Sequence, residues 1–550
     1  MVFMCTKSVL SLRIIFLTEL TPSLSSAILF DGLLPKLKRE ERMQRLLATT
    51  KQLERYRLAY PEGVPRQRAG FDENEAVELF PKTRGKEAKM AAPPPSFLVA
   101  SIIDALAKSP QYVARVKVMP GEADEFCAEH IRSCGGGLVL TSDSDLLVHD
   151  LGKGGGVVFF ADIGLDADAE GLTAPQFRVE DICERLSLKP DHGLAQLAFE
   201  LFSDPHLTIE QAAERSRRAV ASTSSPTDYT SFLGPYLSPE AGPQRERPGE
   251  SLMLDPRVSE LAIRCLPEVG EPGIEQLDTR SVGGGNDLAI YLPFLLDYLV
   301  RTSAWEASKK VRHLAYSLLE SVRGSRISCV AEFRRPQSSS SGVQVHCLTA
   351  SETEKEGAAL LDLLAKIETG ISNPELTWVI LSIYFDVELT VHQGKECPLS
   401  FELLRQYILG TLDQGSWDYL HFLAQVQALL YSLRILKQLM EFTAYHASEG
   451  LSPMMAELRE RLAGLPPLTA FPSVRSFGEI FRKFGKGNGL DCLGSLFSER
   501  EEVLEQIDAI QRAPTPKKGR RPNKRKVSMS KTAPVRPLSK NPFDVLAGQD

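Results

Sequence analysis

The chain has no closely spaced cysteine or histidine pattern of the kind that binds zinc. Its nine cysteines (Cys5, Cys127, Cys134, Cys183, Cys265, Cys329, Cys347, Cys397 and Cys492) show no CxxC spacing, and its nine histidines form no HxxxH pair. That excludes the common zinc frameworks, and an odd, unpatterned cysteine set reads as reduced thiols of the cytosol or nucleus. No apolar run is long enough to span a bilayer, so no membrane partner is expected. Val9–Leu17 has the apolar texture of a leader peptide, but Arg13 interrupts it, and cleavage after the small residues Ser25–Ala27 would strip the run leading into Phe30-Asp31-Gly32. A large net charge is also lacking. At −7 over 550 residues, any polyanion-binding surface is a local patch rather than a molecule-wide field. No repeat of fixed period is evident.

What is present is an ordinary globular composition, 43% hydrophobic and 25% charged, in a chain long enough for two to four domains. Apolar runs at Ala27–Phe30, Val113–Val118, Leu138–Leu140 and Val157–Phe160 read as strands. Between them, Lys36–Leu58 and Phe97–Ala107 read as helices. This alternation predicts an α/β domain with a mainly parallel sheet over residues 27–220, behind an atypical segment 1–26. Residues 221–250, rich in Ser, Pro, Thr and Gly, read as a linker. Residues 251–512 read as mostly helical, with helices expected at Leu288–Val300, Glu306–Leu319, Phe401–Leu409 and Trp417–Tyr445. Short strands are expected there at Arg326–Phe333, Gly342–Leu348 and Trp378–Leu389. The Pro- and Lys-rich tail 513–550 reads as disordered, and its basic block Lys517–Lys526 as a nuclear-localisation signal, the cytoplasm being the alternative.

Two acidic segments stand about twenty residues apart, Gly121-Glu122-Ala123-Asp124 and Ser142-Asp143-Ser144-Asp145, with Asp31 well upstream. Parallel sheets bind ligands beyond their strand carboxyl ends, where these acids would sit. Carboxylate oxygens suit hard divalent cations, and two ions about 3.5–4 Å apart can clamp a phosphodiester and activate water. Each segment alone has a plainer reading: helix capping for Glu122 and Asp124, a strand-end turn for Ser142–Asp145.

The order Phe30-Asp31-Gly32…Pro35-Lys36-Leu37-Lys38…Arg42, then Gly121–Asp124…Cys127-Ala128, then Thr141–Leu147, resembles the flap endonuclease/XPG superfamily. Asp255–Leu261, Tyr291-Leu292-Pro293-Phe294 and Ser303–Glu306 resemble its asteroid-type branch, particularly the fungal members. The resemblance implies a PIN-like nuclease domain, followed by a mostly helical region that offers surfaces for protein partners. It implies a pair of Mg²⁺ (or Mn²⁺) ions held by Asp31, Glu122, Asp124, Asp143 and Asp145, with Asp204 as a further acid. Glu122, Asp124, Asp143 and Asp145 would carry the catalysis. DNA or RNA, single-stranded or flap-like, would meet Lys36, Lys38, Arg39 and Arg42. The superfamily opens with a strand bearing an Asp some fifty residues or more before its Phe-Asp-Gly motif. Here thirty residues precede Asp31, with Glu19 their only acid, so a truncated start or a sheet lacking its central strand and one ligand is expected. The Gly-x-Gly helix–hairpin that grips duplex DNA is also absent after Asp162. The alternative to a nuclease is a catalytically degenerate scaffold on the same fold.

Overall fold

The computed structural model describes residues 2–4, 27–34, 38–64, 92–166, 171–189, 194–219, 226–236, 253–266, 288–335 and 342–513. Its first layer is a five-stranded sheet of β1 (Val2–Met4), β2 (Ala27–Asp31), β3 (Val116–Met119), β4 (Gly137–Thr141) and β5 (Gly155–Phe159), in the order β3-β2-β1-β4-β5. Every pairing in it is parallel. Parallel strands are covered on both faces, which is why these segments are nearly unbroken apolar runs. Ile28, Phe30, Val118, Leu140 and Val158 face one side. Ala27, Leu29, Val139 and Val157 face the other.

Helix α1 spans Arg39–Ala59, α2 Leu98–Lys108 and α3 Ala123–Ser133. Ile103 and Leu106 of α2 cover the first face, and Phe126, Cys127 and Ile131 of α3 the second. The chain adds strands outward from β1 through β2 to β3, then crosses to β4 on β1's other side. The order therefore reverses at β1, and a crevice opens there beyond the strand carboxyl ends.

The expected gap in the sheet is not there. Val2–Met4 fills it, with Phe3 in register with Ile28 on one side and Leu140 on the other. Its three residues contain no carboxylate.

Beyond β5 come the antiparallel pair β6 (Gly164–Asp166) and β7 (Gly171–Thr173), and then the helices α4 (Val179–Leu186), α5 (Ala195–Ser203) and α6 (Ile209–Ala219). The stretch read as a linker contains helix α7, Pro226–Leu233, and a 3₁₀ turn, Gly234–Tyr236. Helix α8 (Pro256–Ile263) begins the helical part, capped by Asp255, whose side chain accepts from the Arg257 amide. A small sheet of β8 (Ala289–Tyr291), β9 (Cys329–Phe333) and β10 (Val343–His346) follows. Its order is β10-β9-β8.

Two element assignments change. Leu288–Val300 is not helical: Ala289–Tyr291 pairs in parallel with β9 and Pro293 follows, where a helix would lose a hydrogen bond. Trp378–Leu389 is not a strand but lies within the helix Thr377–His392. Its β-branched and aromatic residues suggest strand, yet burial on most sides against the helix Trp417–His446 overrides local propensity. Under that long helix, Arg312 is fully buried against Glu332 and also donates to the Ser308 and Ser432 hydroxyls and the Trp305 carbonyl, while Tyr316 donates its hydroxyl to Glu332.

The α/β layer and the helical part meet at several places. Phe97, just ahead of α2, stacks on Tyr431 at 5.2 Å between centroids. Arg434 forks onto Asp104 of α2 at 2.7 and 2.9 Å. The far end of α1 packs Leu53 and Tyr56 against Trp417 and Leu420. No helix among the described residues is long and apolar enough to cross a membrane. The basic tail, including Lys517–Lys526, lies outside the described residues.

Candidate functional site

The crevice at the strand ends gathers acids from three loops. Asp31 ends β2, and its Oδ1 accepts the Ala123 amide at 2.8 Å, tying that strand to the start of α3. Gly32 follows because the chain passes so close to β3 that a Cβ there would lie 2.2 Å from the Met119 carbonyl oxygen. Glu122 occupies the N-cap position of α3 without capping it; its Oε1 instead takes the Lys38 ammonium at 2.5 Å. Asp143 follows β4, and its Oδ1 accepts the Asp145 amide at 3.1 Å, starting the 3₁₀ turn Ser144–Leu147.

Asp124, in the first turn of α3, lies among these groups. Burial pushes its carboxyl up to about 8, and the charges of Asp143, Asp31 and Glu122 add to the rise while Lys38 opposes it. Its Oδ1 is buried and makes no hydrogen bond. Asp145's carboxyl is also raised, by desolvation first and then by Asp143. Burial pulls the Lys38 ammonium down, but Glu122, Asp124 and Glu41 outweigh it and hold that group above its ordinary value. Acids separated by more than a hundred residues in sequence thus share one electrostatic neighbourhood.

The donor set suits a hard divalent cation in kind: carboxylate oxygens, one of them buried and unsatisfied. As the side chains lie, no group of three or more His, Cys, Asp or Glu among the described residues is set to hold one ion. Lys38 holds Glu122, and Tyr236 donates its hydroxyl to Asp145 Oδ2 at 3.5 Å.

The remaining candidates fall elsewhere. Asp204 turns the corner between α5 and α6, accepting the His206 amide at 3.2 Å and pairing with Arg215 at 3.5 Å. Lys36 lies outside the described residues. Arg39 is exposed, with its guanidinium 5.0 Å from the Phe333 ring centre. Arg42 is not free for phosphate. It forks onto Glu260 at 2.8 and 2.9 Å and lies 3.8 Å over the Tyr291 ring, with only 10% of its side chain exposed. Glu260 and Tyr291 belong to the segments that resembled the asteroid-type branch. These residues join α1 to the helical part.

Two residues at the site escaped sequence reasoning. Tyr236 reaches Asp145 from the supposed linker, and its hydroxyl is pushed up to about 12 by burial and then by Asp145, Asp143 and Asp124. His149 meets the Tyr236 ring at 5.2 Å. Burial, then Arg132 and Lys38, lower it to about 4. A signal was present: Tyr229, Phe232 and Tyr236 recur at helical spacing inside the Ser- and Pro-rich stretch.

Comparison with known families bears on this geometry directly. Residues 94–347 match the family described as XPG domain containing. This stretch is XPG-like. The XPG-like stretch opens just ahead of α2 and closes just beyond β10, so it contains Glu122, Asp124, Asp143 and Asp145 but starts after Asp31 and Lys38. An XPG domain goes with a PIN-like α/β fold, and the parallel sheet between α2 and α3 has that layered form. No curated protein and no solved structure matches the chain.

Proposed function

We propose that this chain is a divalent-metal-dependent nuclease of the asteroid-type branch of the XPG superfamily, hydrolysing phosphodiester bonds of DNA or RNA. The observation that carries the reading is the buried, unpartnered Asp124 oxygen inside a cluster of acids at the strand ends. Like charges crowded at partial burial raise one another's proton affinity, and a cation removes that penalty. Asp31, Glu122, Asp124, Asp143 and Asp145 are the residues that would hold Mg²⁺ or Mn²⁺. Bound there, the ions would lower the pKa of water and neutralise charge on the scissile phosphate.

The protein's own part is positional. Asp31 fixes the start of α3 through the Ala123 amide, and with it the direction of Asp124. Asp143 fixes Asp145 through its amide. Lys38 brings a positive charge to the rim, suited to a phosphate oxygen once it leaves Glu122. Asp204, engaged with Arg215, stands apart from this set. The basic tail block is read as a nuclear-localisation signal, which a reporter fusion of residues 513–550 tests.

The test is Mn²⁺ titration of the full-length chain by calorimetry, together with cleavage of labelled single-strand and flap substrates. Saturable Mn²⁺ binding and cleavage are expected, both lost when Asp143→Ala is combined with Asp145→Ala. Cleavage that survives the double substitution refutes the assignment.

Two observations favour a second reading, a scaffold that kept the fold without the chemistry. Lys38 already supplies a counter-charge, and β1 brings no acid to the crevice. Absence of Mn²⁺ binding at millimolar concentration would select that reading.

A further inference from the structure

The helical part holds a cavity that the acidic rim does not use. It opens between the helices Lys309–Ser317, Ala350–Gly370 and Thr377–His392 and measures about 510 Å³ out to its mouth. Val311, Leu314, Leu360, Leu363, Tyr384 and Phe385 give it an apolar lining. That size and texture suit an inserted apolar group. Phe497 stacks on Tyr384 at 5.2 Å between ring centres, which fixes that wall before anything enters. Lys310 and Glu356 complete the lining, both exposed. Lys310 makes only a 3.7 Å contact with Glu388, whose nearer partner is Arg500 at 2.6 Å.

Where the described chain stops points to an occupant. The helix Glu501–Gln511 starts next to Arg500, so Ala513 lies about 20 Å from that residue by helical rise. Residues 514–550 follow, outside the described residues. Phe543 is the only aromatic residue among them, in the apolar cluster Phe543-Asp544-Val545-Leu546. The thirty positions from Ala513 to Phe543 span up to about 100 Å when extended, and a coiled linker of that length averages about 30 Å, so the phenyl reaches the cavity with slack. Charge favours the same approach. Between Pro514 and Pro542 stand ten Lys and Arg and no acid. The helix Glu501–Gln511 carries Glu501, Glu502, Glu505 and Asp508 without a base, and Ala350–Gly370 exposes five acids against two lysines. One phenyl is too small a contact to hold a free partner, but a tethered one meets its site at an effective concentration on the order of millimolar, which fills even a weak site.

We propose that this cavity docks the chain's own C-terminal segment, with Phe543 in the apolar pocket and Asp544 at Lys310. The proposal is independent of the nuclease reading. Docking lays the basic residues 517–540 along the acidic helices Glu501–Gln511 and Ala350–Gly370. Their charge is then paired within the molecule and withheld from any other acidic partner until the phenyl is displaced. The tail is thus a latch, and the cavity is its catch.

The experiment is photo-crosslinking in the full-length chain with p-benzoylphenylalanine in place of Phe543, the crosslinked residues being mapped by mass spectrometry. Crosslinks within one chain to Ala359, Leu363 or Tyr384 are expected. Ala359→Trp, at an exposed position of the lining, carries an indole into the mouth and should lower their yield by about tenfold. An unfolding midpoint equal to wild type establishes that this variant folds. A second control leaves the folded part untouched: the same probe at Ser539, four positions upstream, should give the cavity crosslinks at about a tenth of the yield or less. Crosslinks that join two chains overturn the proposal, since the cavity would then take a second copy. So does the absence of any crosslink to the lining, which leaves the cavity to a different ligand. Equal yields from positions 539 and 543, or a yield indifferent to Ala359→Trp, also overturn it, because the tail would then be nearby without being docked.

Discussion

Replacing Asp124 by Asn removes one charge from the acidic cluster with little change of shape, and its effect on stability follows from the site. Because the folded carboxyl is raised from 3.8 to about 8, the folded state keeps a proton there that the unfolded chain has already lost. Stability contributed by that proton is full below about pH 4 and declines as pH rises toward 8. At ~1.4 kcal/mol per pKa unit, the penalty at pH 8 is at most about 6 kcal/mol. The interacting acids share that strain and Lys38 can shift toward it, so a realised gain of about 1–3 kcal/mol is expected for Asp124→Asn in metal-free buffer at pH 8. This corresponds to a rise in Tm of a few degrees, with the gap between the two proteins much smaller near pH 4.5. Urea or thermal unfolding in EDTA from pH 4.5 to 8.5 measures the gap. Added Mn²⁺ should then stabilise the wild type and leave the variant nearly unmoved. A variant less stable than wild type at pH 8, or a gap that does not widen with pH, refutes the reasoning.

Lys38→Met frees Glu122 from its ion pair, so Mn²⁺ should bind several-fold more tightly by calorimetry if the acids are a metal site; weaker binding would make Lys38 a partner of the ions rather than their competitor. Arg42→Ala strands Glu260, 6% exposed, with only Arg264 at 3.5 Å, and should cost about 3–5 kcal/mol in urea unfolding, of which Arg42→Lys recovers only part because lysine cannot fork.

The parallel sheet was legible because its strands are buried on both faces: runs such as Ala27–Phe30 and Val157–Phe160 stand out without any periodicity. β1 was not, since three residues carry no pattern and its conformation is imposed by neighbours on either side. Trp378–Leu389 misled because β-branched residues prefer strands until packing decides otherwise. Around the acids, sequence order indicated which loops would hold carboxylates but not which cations those and other acids would take. The Lys38–Glu122 and Arg42–Glu260 pairs each depend on how α1 lies across the molecule, and Arg42 and Glu260 stand 218 positions apart. Tyr236 was hidden by composition. Its Ser- and Pro-rich surroundings resemble a linker, whereas the three rings at helical spacing give that segment a face to pack.

The short middle strand has a consequence for how the crevice comes into being. Without β1, the sheet is two half-sheets, β2 with β3 and β4 with β5, and the acids divide along the same seam: Asp31, Glu122 and Asp124 on one half, Asp143 and Asp145 on the other. Val2–Met4 is the keystone between them, hydrogen-bonded to both, with α3 bridging the seam on one face. Assembly of the acidic rim is thereby coupled to the docking of Val2–Met4, whose partners on the β4 side lie more than a hundred positions away.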